Sequence, residues 1–442
     1  MKQESALNIL KLGKNVFITG SAGTGKTYLL NKFIRYLKSK DIYPSVVAPT
    51  GISASHLKGS TIHSFFYLGI RETIDEGYIN FLLDKRYLQK RFENLQVLII
   101  DEVSMVSPEI FSAMDLILQS FKGSVEPFGG VQVVLSGDFF QLPPVSKTKK
   151  EKRFAWQSPS WKSLKLQSCY LEEKFRQDDN RLIKVLDEIR AGKITNYTHT
   201  MLENRLNKEL APNFTPTKLY THNIDVDRIN NIELAKLKTK PKLFVYESKG
   251  GKTYIEKIFK SSLVLEELTL KKGAVVIFIK NNHEKGYVNG TTGVVEGFSS
   301  LDNMPIVKTT DGAKIKLEYE DWTIENEKSE VLATVSQVPL RLAWAITVHK
   351  SQGMTLSSAE IDLSKTFEVG QGYVALSRIK SIDGLKLLGV NPKALIVDPL
   401  ILHIDPRVKL ASKKAQKEIE KLSKATLKKR FNKYIRSLGG RV

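Results

Sequence analysis

Gly20-Ser21-Ala22-Gly23-Thr24-Gly25-Lys26-Thr27 matches the pattern G-x-x-x-x-G-K-[ST]. The run Asn15–Thr19 before it is predicted as a strand and Tyr28–Ser39 after it as a helix, which is the setting this motif requires. Glycines there let backbone N–H groups wrap around phosphates, and the positive end of the helix favours their charge. Lys26 would reach the β- and γ-phosphates of a bound nucleotide, and Thr27 would ligate Mg2+. A glycine-rich turn that binds nothing needs neither the strand, nor the helix, nor the Lys-Thr pair.

Around this loop, short apolar runs alternate with helical patterns through the first third of the chain. Pro44–Ala48, Leu95–Ile100 and Val131–Ser136 read as further strands, so the spacing predicts a doubly wound parallel α/β core. A polar, aromatic-dotted insertion between Phe65 and Phe92 interrupts the alternation and reads as a small subdomain or hairpin. Leu95–Ile100 runs into Asp101-Glu102, a carboxylate pair at the carboxyl edge of a buried strand, where open α/β sheets place their ligands. Asp101 would hold Mg2+ and Glu102 would polarise the attacking water. Gly137-Asp-Phe-Phe-Gln-Leu-Pro-Pro144 follows another buried strand and puts the Gln141 amide where it could sense the γ-phosphate. Two arginines are candidates for clamping transition-state charge: Arg176 in Glu-Lys-Phe-Arg-Gln, and Arg378 in Tyr373-Val-Ala-Leu-Ser-Arg.

The chain has 442 residues and a formal charge of +21. A positive field of that size favours polyanions or anionic membrane surfaces, with nucleic acid the default partner and a merely solvated basic surface the alternative. One cysteine, Cys169, excludes an intrachain disulfide framework and a Cys-based zinc site, and fits a reducing compartment. No apolar run approaches the roughly 20 residues of a membrane span, and Met1–Leu12 lacks the apolar core of a signal peptide. The protein is expected to be soluble and cytoplasmic.

A second α/β region is expected from near Tyr170, resumed by strand-like Ala333–Ala345 and Ala359–Leu363. Between them, Gly273–Ile279, Tyr287–Val295 and Ile306–Leu317 read as short strands punctuated by Asn-Gly and Asp-Gly turns, an all-β insertion. From Arg407 the chain becomes a Lys/Arg-rich helical pattern with an apolar stripe at Leu427, Phe431, Tyr434 and Leu438, stopped by Gly439-Gly440. That segment either binds DNA or forms a solvated amphipathic helix docked on the second domain.

These motifs carry a resemblance to the petite-integration-frequency (PIF) family of superfamily 1 DNA helicases, the 5′-to-3′ branch related to RecD-like helicases. Besides the phosphate loop, the ordered match includes Ala48-Pro-Thr-Gly-Ile-Ser-Ala54 with Thr61-Ile-His-Ser64, then Ile99-Ile-Asp-Glu-Val-Ser-Met105, Pro127-Phe-Gly-Gly-Val-Gln132 and Gly137 to Pro144. Later come Tyr287-Val-Asn-Gly290, Ala343-Trp-Ala-Ile-Thr-Val-His-Lys-Ser-Gln-Gly-Met-Thr-Leu356 and Gly372-Tyr-Val-Ala-Leu-Ser-Arg378. It spans about residues 3 to 390. Met114–Gly123 departs from the family: where an Arg-bearing helix is usual, it carries Lys122 as its single base.

The resemblance implies two RecA-like P-loop NTPase motor domains: residues 1–165, with the insertion at about 65–92, and residues 166–235 with 331–406. An SH3-like β insertion would occupy 236–330 and a basic helical tail 407–442. It implies ATP and Mg2+ as cofactors, Gln3 reading the adenine edge, and Arg176 and Arg378 as arginine fingers. Thr50, Gly51, His63 and Phe65 fall in the first strand-contacting motifs, and Thr347, His349, Lys350 and Ser351 in the second; phosphates need such donors, and bases need aromatic faces. The partners implied are single-stranded DNA and forked or tailed duplexes, with G-quadruplexes and RNA–DNA hybrids as further substrates. The insertion would carry the strand-separating pin, with Tyr78, Phe81 and Tyr87 as its candidates. A minimal bacterial or viral form acting as a monomer is expected. Two rivals are a translocase that displaces proteins without unwinding and a single-strand-binding protein with a vestigial nucleotide site.

Overall fold

The computed structural model describes residues 1–442 except 69–73, 145–153, 176–178, 211–216, 221–225, 283, 288, 311, 326–329, 349–350 and 352–353. It divides into two compact units, Met1–Phe175 with His403–Val442, and Arg176–Asn326 with Glu330–Leu402. Among the described residues no helix is long and apolar enough to cross a membrane.

The first unit is built on six strands: β1 (Val16–Gly20), β2 (Ser45–Ala48), β3 (Ser60–Thr61), β4 (Val97–Ile100), β5 (Gln132–Ser136) and β6 (Gln167–Leu171). They form one sheet in the order β3-β2-β4-β5-β1-β6, with every neighbouring pair parallel. β1, β4 and β5 are buried along their whole length, as strands of a sheet covered on both faces must be. Alternation of side chains sorts the two faces. Val16, Ile18, Val97, Ile99 and Val134 join Leu10 of helix α1 (Gln3–Lys11) and Phe33 of helix α2 (Lys26–Lys38) in one core. Phe17 points the other way and meets Phe139 and Trp161 at ring-centroid distances of 5.5 and 5.2 Å. Burying a side chain such as Phe33 contributes about 1.5–3 kcal/mol.

The expected insertion is helical. Glu76–Leu83 and Arg86–Glu93 bury Leu82, Leu88 and Phe92, and the Phe92 ring lies 4.8 Å from that of Phe121 on the helix Pro108–Lys122. Lys122, the single base of that helix's last turns, donates to the carbonyl of Glu93 at 2.6 Å, so its charge closes this packing.

In the second unit four strands form a parallel sheet in the order Ala345–Thr347, Thr217–Tyr220, Ala359–Leu363, Leu385–Val390. Among the described residues the β-rich region holds an antiparallel sheet ordered Lys314–Lys316, Pro305–Thr309, Thr292–Phe298, Val275–Phe278, Leu340–Leu342, a second ordered Glu320–Glu325, Val331–Gln337, Glu247–Gly250, and the antiparallel pair Lys242–Val245 with Glu267–Leu270.

The residues divide differently from the expected boundaries at three places. β6, expected to open the second domain, pairs with β1 from Val16↔Gln167 to Gly20↔Leu171 and closes the first sheet. Val331–Gln337 and Leu340–Leu342, expected to resume the second α/β region, pair antiparallel within the β-rich region, and only Ala345–Thr347 joins the parallel sheet. That region also contains a helix, Lys252–Ser261, whose Ile258 packs with Val335. The C-terminal helices pack on the first unit rather than the second: Ala415, Ile419 and Ile435 share the core of Leu10 and Leu37, with Leu427, Tyr434 and Leu438 against it.

Candidate functional site

β1 ends at Gly20 and α2 begins at Lys26, so the phosphate loop is the strand-to-helix turn itself. Gly23 and Gly25 hold φ of +83° and +77°, a conformation costly for any residue with a Cβ. A Cβ on Gly20 would meet the Leu171 carbonyl at 2.5 Å, and one on Gly25 would collide with the Gln3 amide nitrogen. The loop is therefore seated between β6 and α1 with no room for a side chain at Gly20 or Gly25. Thr24, 1% exposed, donates from Oγ1 to the Ser21 carbonyl at 2.9 Å, and Gln3 Nε2 donates to the Thr24 carbonyl at 3.3 Å. Lys26 Nζ donates to the carbonyls of Gly20 and Ser21 at 2.9 and 3.1 Å. Ala22 is buried, Ser21 half-buried and Thr27 exposed. No side chain caps the first turn of α2, and the positive end of the helix there favours an anion.

Asp101 follows β4 and is 6% exposed; its N–H donates to the Val47 carbonyl at 2.9 Å. Burial raises its carboxyl above the usual range, while the Ser136 hydroxyl, the Glu102 N–H and the Lys26 ammonium pull it back. The Glu102 N–H donates to Asp101 Oδ1 at 3.0 Å. Glu102 itself sits at φ +52°, a left-handed conformation that a non-glycine residue adopts at a cost. A Cβ on Gly137 would lie 3.0 Å from the Val103 nitrogen, so the end of β5 runs directly beside the Asp101-Glu102 turn. Gln141, 6% exposed, is turned by Asp138: its N–H bonds the Asp138 carbonyl at 2.9 Å and its Nε2 the Oδ2 at 3.4 Å. The first unit thus collects Gln3, the phosphate loop, Asp101, Glu102 and Gln141. An ammonium, a buried carboxylate and an open helix start form a donor set that fits a magnesium nucleotide.

Two residues here escape sequence reasoning. Asp138 has no role that its motif suggests, yet it is fully buried and orients Gln141. Phe175, 61% exposed, bonds its N–H to the Gly23 carbonyl at 2.9 Å, and its ring approaches the Gly25 Cβ position to 3.5 Å. Its one signal in the sequence is adjacency to Arg176.

Of the first strand-contacting motifs, Thr50 caps the helix Gly51–Ser55 by accepting from the Ser53 N–H at 3.2 Å, and both Thr50 and Gly51 are half-buried. His63 is exposed on the helix Ile62–Phe65. Phe65 is engaged within the protein, with Arg91 5.2 Å from its ring centroid and edge contacts to Phe66 and Phe92. In the insertion Tyr78 and Phe81 stack at 5.6 Å, and the rings of Tyr67 and Tyr87 meet at 6.2 Å.

In the second unit Thr347 ends its strand, and Ser351, fully buried, donates from its N–H to the Thr347 carbonyl at 2.9 Å and from Oγ to the Val348 carbonyl at 2.7 Å. Arg378 is 1% exposed; Nε donates to the Val374 carbonyl at 3.0 Å and a terminal nitrogen to Ser377 Oγ at 2.8 Å. Backbone bonds between Leu356 and both Arg378 and Lys380 tie this arginine's turn to the segment after Ser351. Arg176, His349 and Lys350 lie outside the described residues.

The PIF1-like helicase family profile matches residues 2–208. The chain is 40% identical to the ATP-dependent DNA helicase Pif1 of Psychrobacter sp. (strain PRwf-1), over 100% of this chain and 75% of the relative. To the ATP-dependent DNA helicase Pif1 of Bdellovibrio bacteriovorus it is 36% identical, over 91% of this chain and 90% of the relative. Among solved structures, Bacteroides sp Pif1 in complex with ADP-AlF4 superposes with TM-score 0.79 at 32% identity, covering 92% of this chain and 96% of the other. Bacteroides Pif1 bound to ssDNA gives TM-score 0.62 at 31% identity, covering 93% and 97%. With identity of this level extending through both units, the chain belongs to the PIF1-like helicase family.

Proposed function

We propose that this protein is an ATP-dependent DNA helicase that translocates 5′ to 3′ on single-stranded DNA and unwinds tailed or forked duplexes. The observation that carries the reading is the joining, on one sheet, of the phosphate loop with Asp101, Glu102 and Gln141, in a chain of this family.

The Lys26 ammonium, held by two loop carbonyls, exchanges them for phosphate oxygens when nucleotide binds. Thr27 and Asp101 would hold Mg2+, which when bound neutralises phosphate charge. Glu102 accepts the proton of the attacking water, and Gln141, fixed by Asp138, orients that water. Arg176 and Arg378 supply positive charge to the phosphoryl group in the transition state. Gln3 bonds the adenine edge and the exposed Phe175 ring offers it a stacking face. Thr50, Gly51, His63, Thr347, His349, Lys350 and Ser351 contact the strand, mostly through phosphates. Phe65, packed under Arg91, supports that surface rather than stacking on a base. The β-rich region corresponds to the SH3-like insertion, and G-quadruplexes and RNA–DNA hybrids are further substrates.

DNA-stimulated ATP turnover tests the nucleotide site. Lys26→Ala is expected to abolish it while single-strand binding persists; turnover that survives this change overturns the assignment.

A further inference from the structure

The formal charge is not spread evenly. His403–Val442 holds thirteen Lys and Arg against three Asp and Glu, a net of +10 within the chain's +21, and Lys421–Val442 contains no acidic residue. All thirteen bases are exposed. Their orientation is fixed by what the other face does: Ile419 and Ile435 are buried in the core of the first unit, and Tyr434 lies against Gly13 and donates its hydroxyl to Gln132 Oε1 at 2.7 Å. Among the described residues, Lys409 pairs with Asp405 and Arg441 with Asp41. Lys413 and Lys417 lie one turn apart on the helix Pro399–Glu420, Lys421 follows in the turn after it, and Lys424, Lys428, Lys429, Lys433 and Arg436 stand on the helix Lys424–Ser437. Like charges at such spacing repel and destabilise a helix, a cost that a polyanion reverses.

We propose that this rigidly docked basic face is a second nucleic-acid surface, distinct from the strand-contacting motifs, and that it holds the phosphate backbone of duplex DNA flanking the single strand. A duplex is the favoured occupant because the exposed side chains are cations. The aromatic rings of these helices, Phe431 and Tyr434, are half-buried and engaged, Phe431 with Lys11 and Tyr434 with Gln132, so the surface offers phosphate contacts without base stacking. The proposal rests on the helicase reading for its partner and deepens it by adding the duplex arm to the site.

The test is the salt dependence of binding by the full chain and by a variant carrying Lys417→Gln, Lys421→Gln, Lys428→Gln and Lys429→Gln. The probes are a blunt duplex and a single-stranded oligothymidylate. Each phosphate that the variant no longer neutralises makes the slope of log K against log salt shallower by about 0.9 for duplex DNA. The expected result is a duplex slope shallower by about 2 to 4, with the oligothymidylate slope, the melting temperature and oligothymidylate-stimulated ATP turnover unchanged. An unchanged duplex slope overturns the proposal, and so does an equal fall for both probes, which would place these lysines on the single strand's path. Absence of DNA-stimulated turnover in the unmodified protein would instead count against the helicase reading itself.

Discussion

Gln3 reaches from α1 to bond the Thr24 carbonyl at 3.3 Å, and its amide nitrogen occupies the space that a Cβ on Gly25 would need. The residue proposed to read the base is thus built into the wall of the loop that holds the phosphates. Gln3→Ala removes hydrogen bonds worth about 0.5–1.5 kcal/mol each, so KM for ATP should rise about 2- to 10-fold while GTP, lacking the adenine edge, is less affected. Gly25→Ala should be more severe, because it forces a side chain both into positive φ and into Gln3. Steady-state ATPase with both nucleotides separates the two effects.

Asp101 is held in a setting that disfavours its charge. Its carboxyl is raised by burial, so the folded state binds the proton more tightly than the unfolded chain, and its contribution to stability falls as pH rises from the ordinary carboxylate value through the raised one. Asp101→Asn should remove that cost. Thermal melting of the ligand-free variant is expected to show a gain on the order of 1 kcal/mol, larger at neutral than at acidic pH, while magnesium-dependent ATP turnover is lost. A destabilised variant at neutral pH would contradict the account.

Tyr434 carries the attachment of the C-terminal helices. Its hydroxyl bonds Gln132, whose Nε2 bonds the carbonyls of Leu10 and Lys14 at 3.0 and 2.7 Å, so one network locks the end of α1. Tyr434→Phe should cost about 1–3 kcal/mol, and Tyr434→Ala about 3–5 kcal/mol. At about 2–4 °C per kcal/mol for a unit of this size, differential scanning calorimetry resolves both.

Cys169 lies within β6, and burial pushes its thiol up to about 12. A neutral, enclosed thiol is a poor nucleophile. Alkylation at mildly alkaline pH should be negligible in the native protein and complete in denaturant; fast native labelling would mean that β6 opens.

The phosphate loop and the carboxylate pair were legible because each is a short, local pattern whose strand and helix are adjacent in sequence. The first five strands of the central sheet were legible only in part: β1, β2, β4 and β5 announce themselves as apolar runs, whereas β3 has two residues and no pattern. Placing β6 required knowing that Gln167–Leu171 returns to the side of β1, a long-range pairing that no window around Tyr170 contains. The same holds for Val331–Gln337, where strand character was plain but the partner was not. The apolar stripe Leu427, Tyr434, Leu438 said that the C-terminal helix docks; which surface receives it depends on the shape of Gly13 and its neighbours. The helix Lys252–Ser261 did carry a signal, Ile255, Ile258 and Phe259 at helical spacing, which the surrounding strands obscured. Phe65 shows what a motif leaves out: its sequence places an aromatic residue in a strand-contacting motif but says nothing of Arg91, 26 residues away, 5.2 Å from its ring centroid.

The most direct measurement is ATP-driven unwinding of two otherwise identical duplexes, one with a 5′ and one with a 3′ single-stranded tail. The 5′-tailed duplex should be separated, with dependence on magnesium and on Lys26, and the 3′-tailed duplex left intact. Robust DNA-stimulated ATP hydrolysis with neither duplex separated, or separation of the 3′-tailed duplex alone, would contradict it.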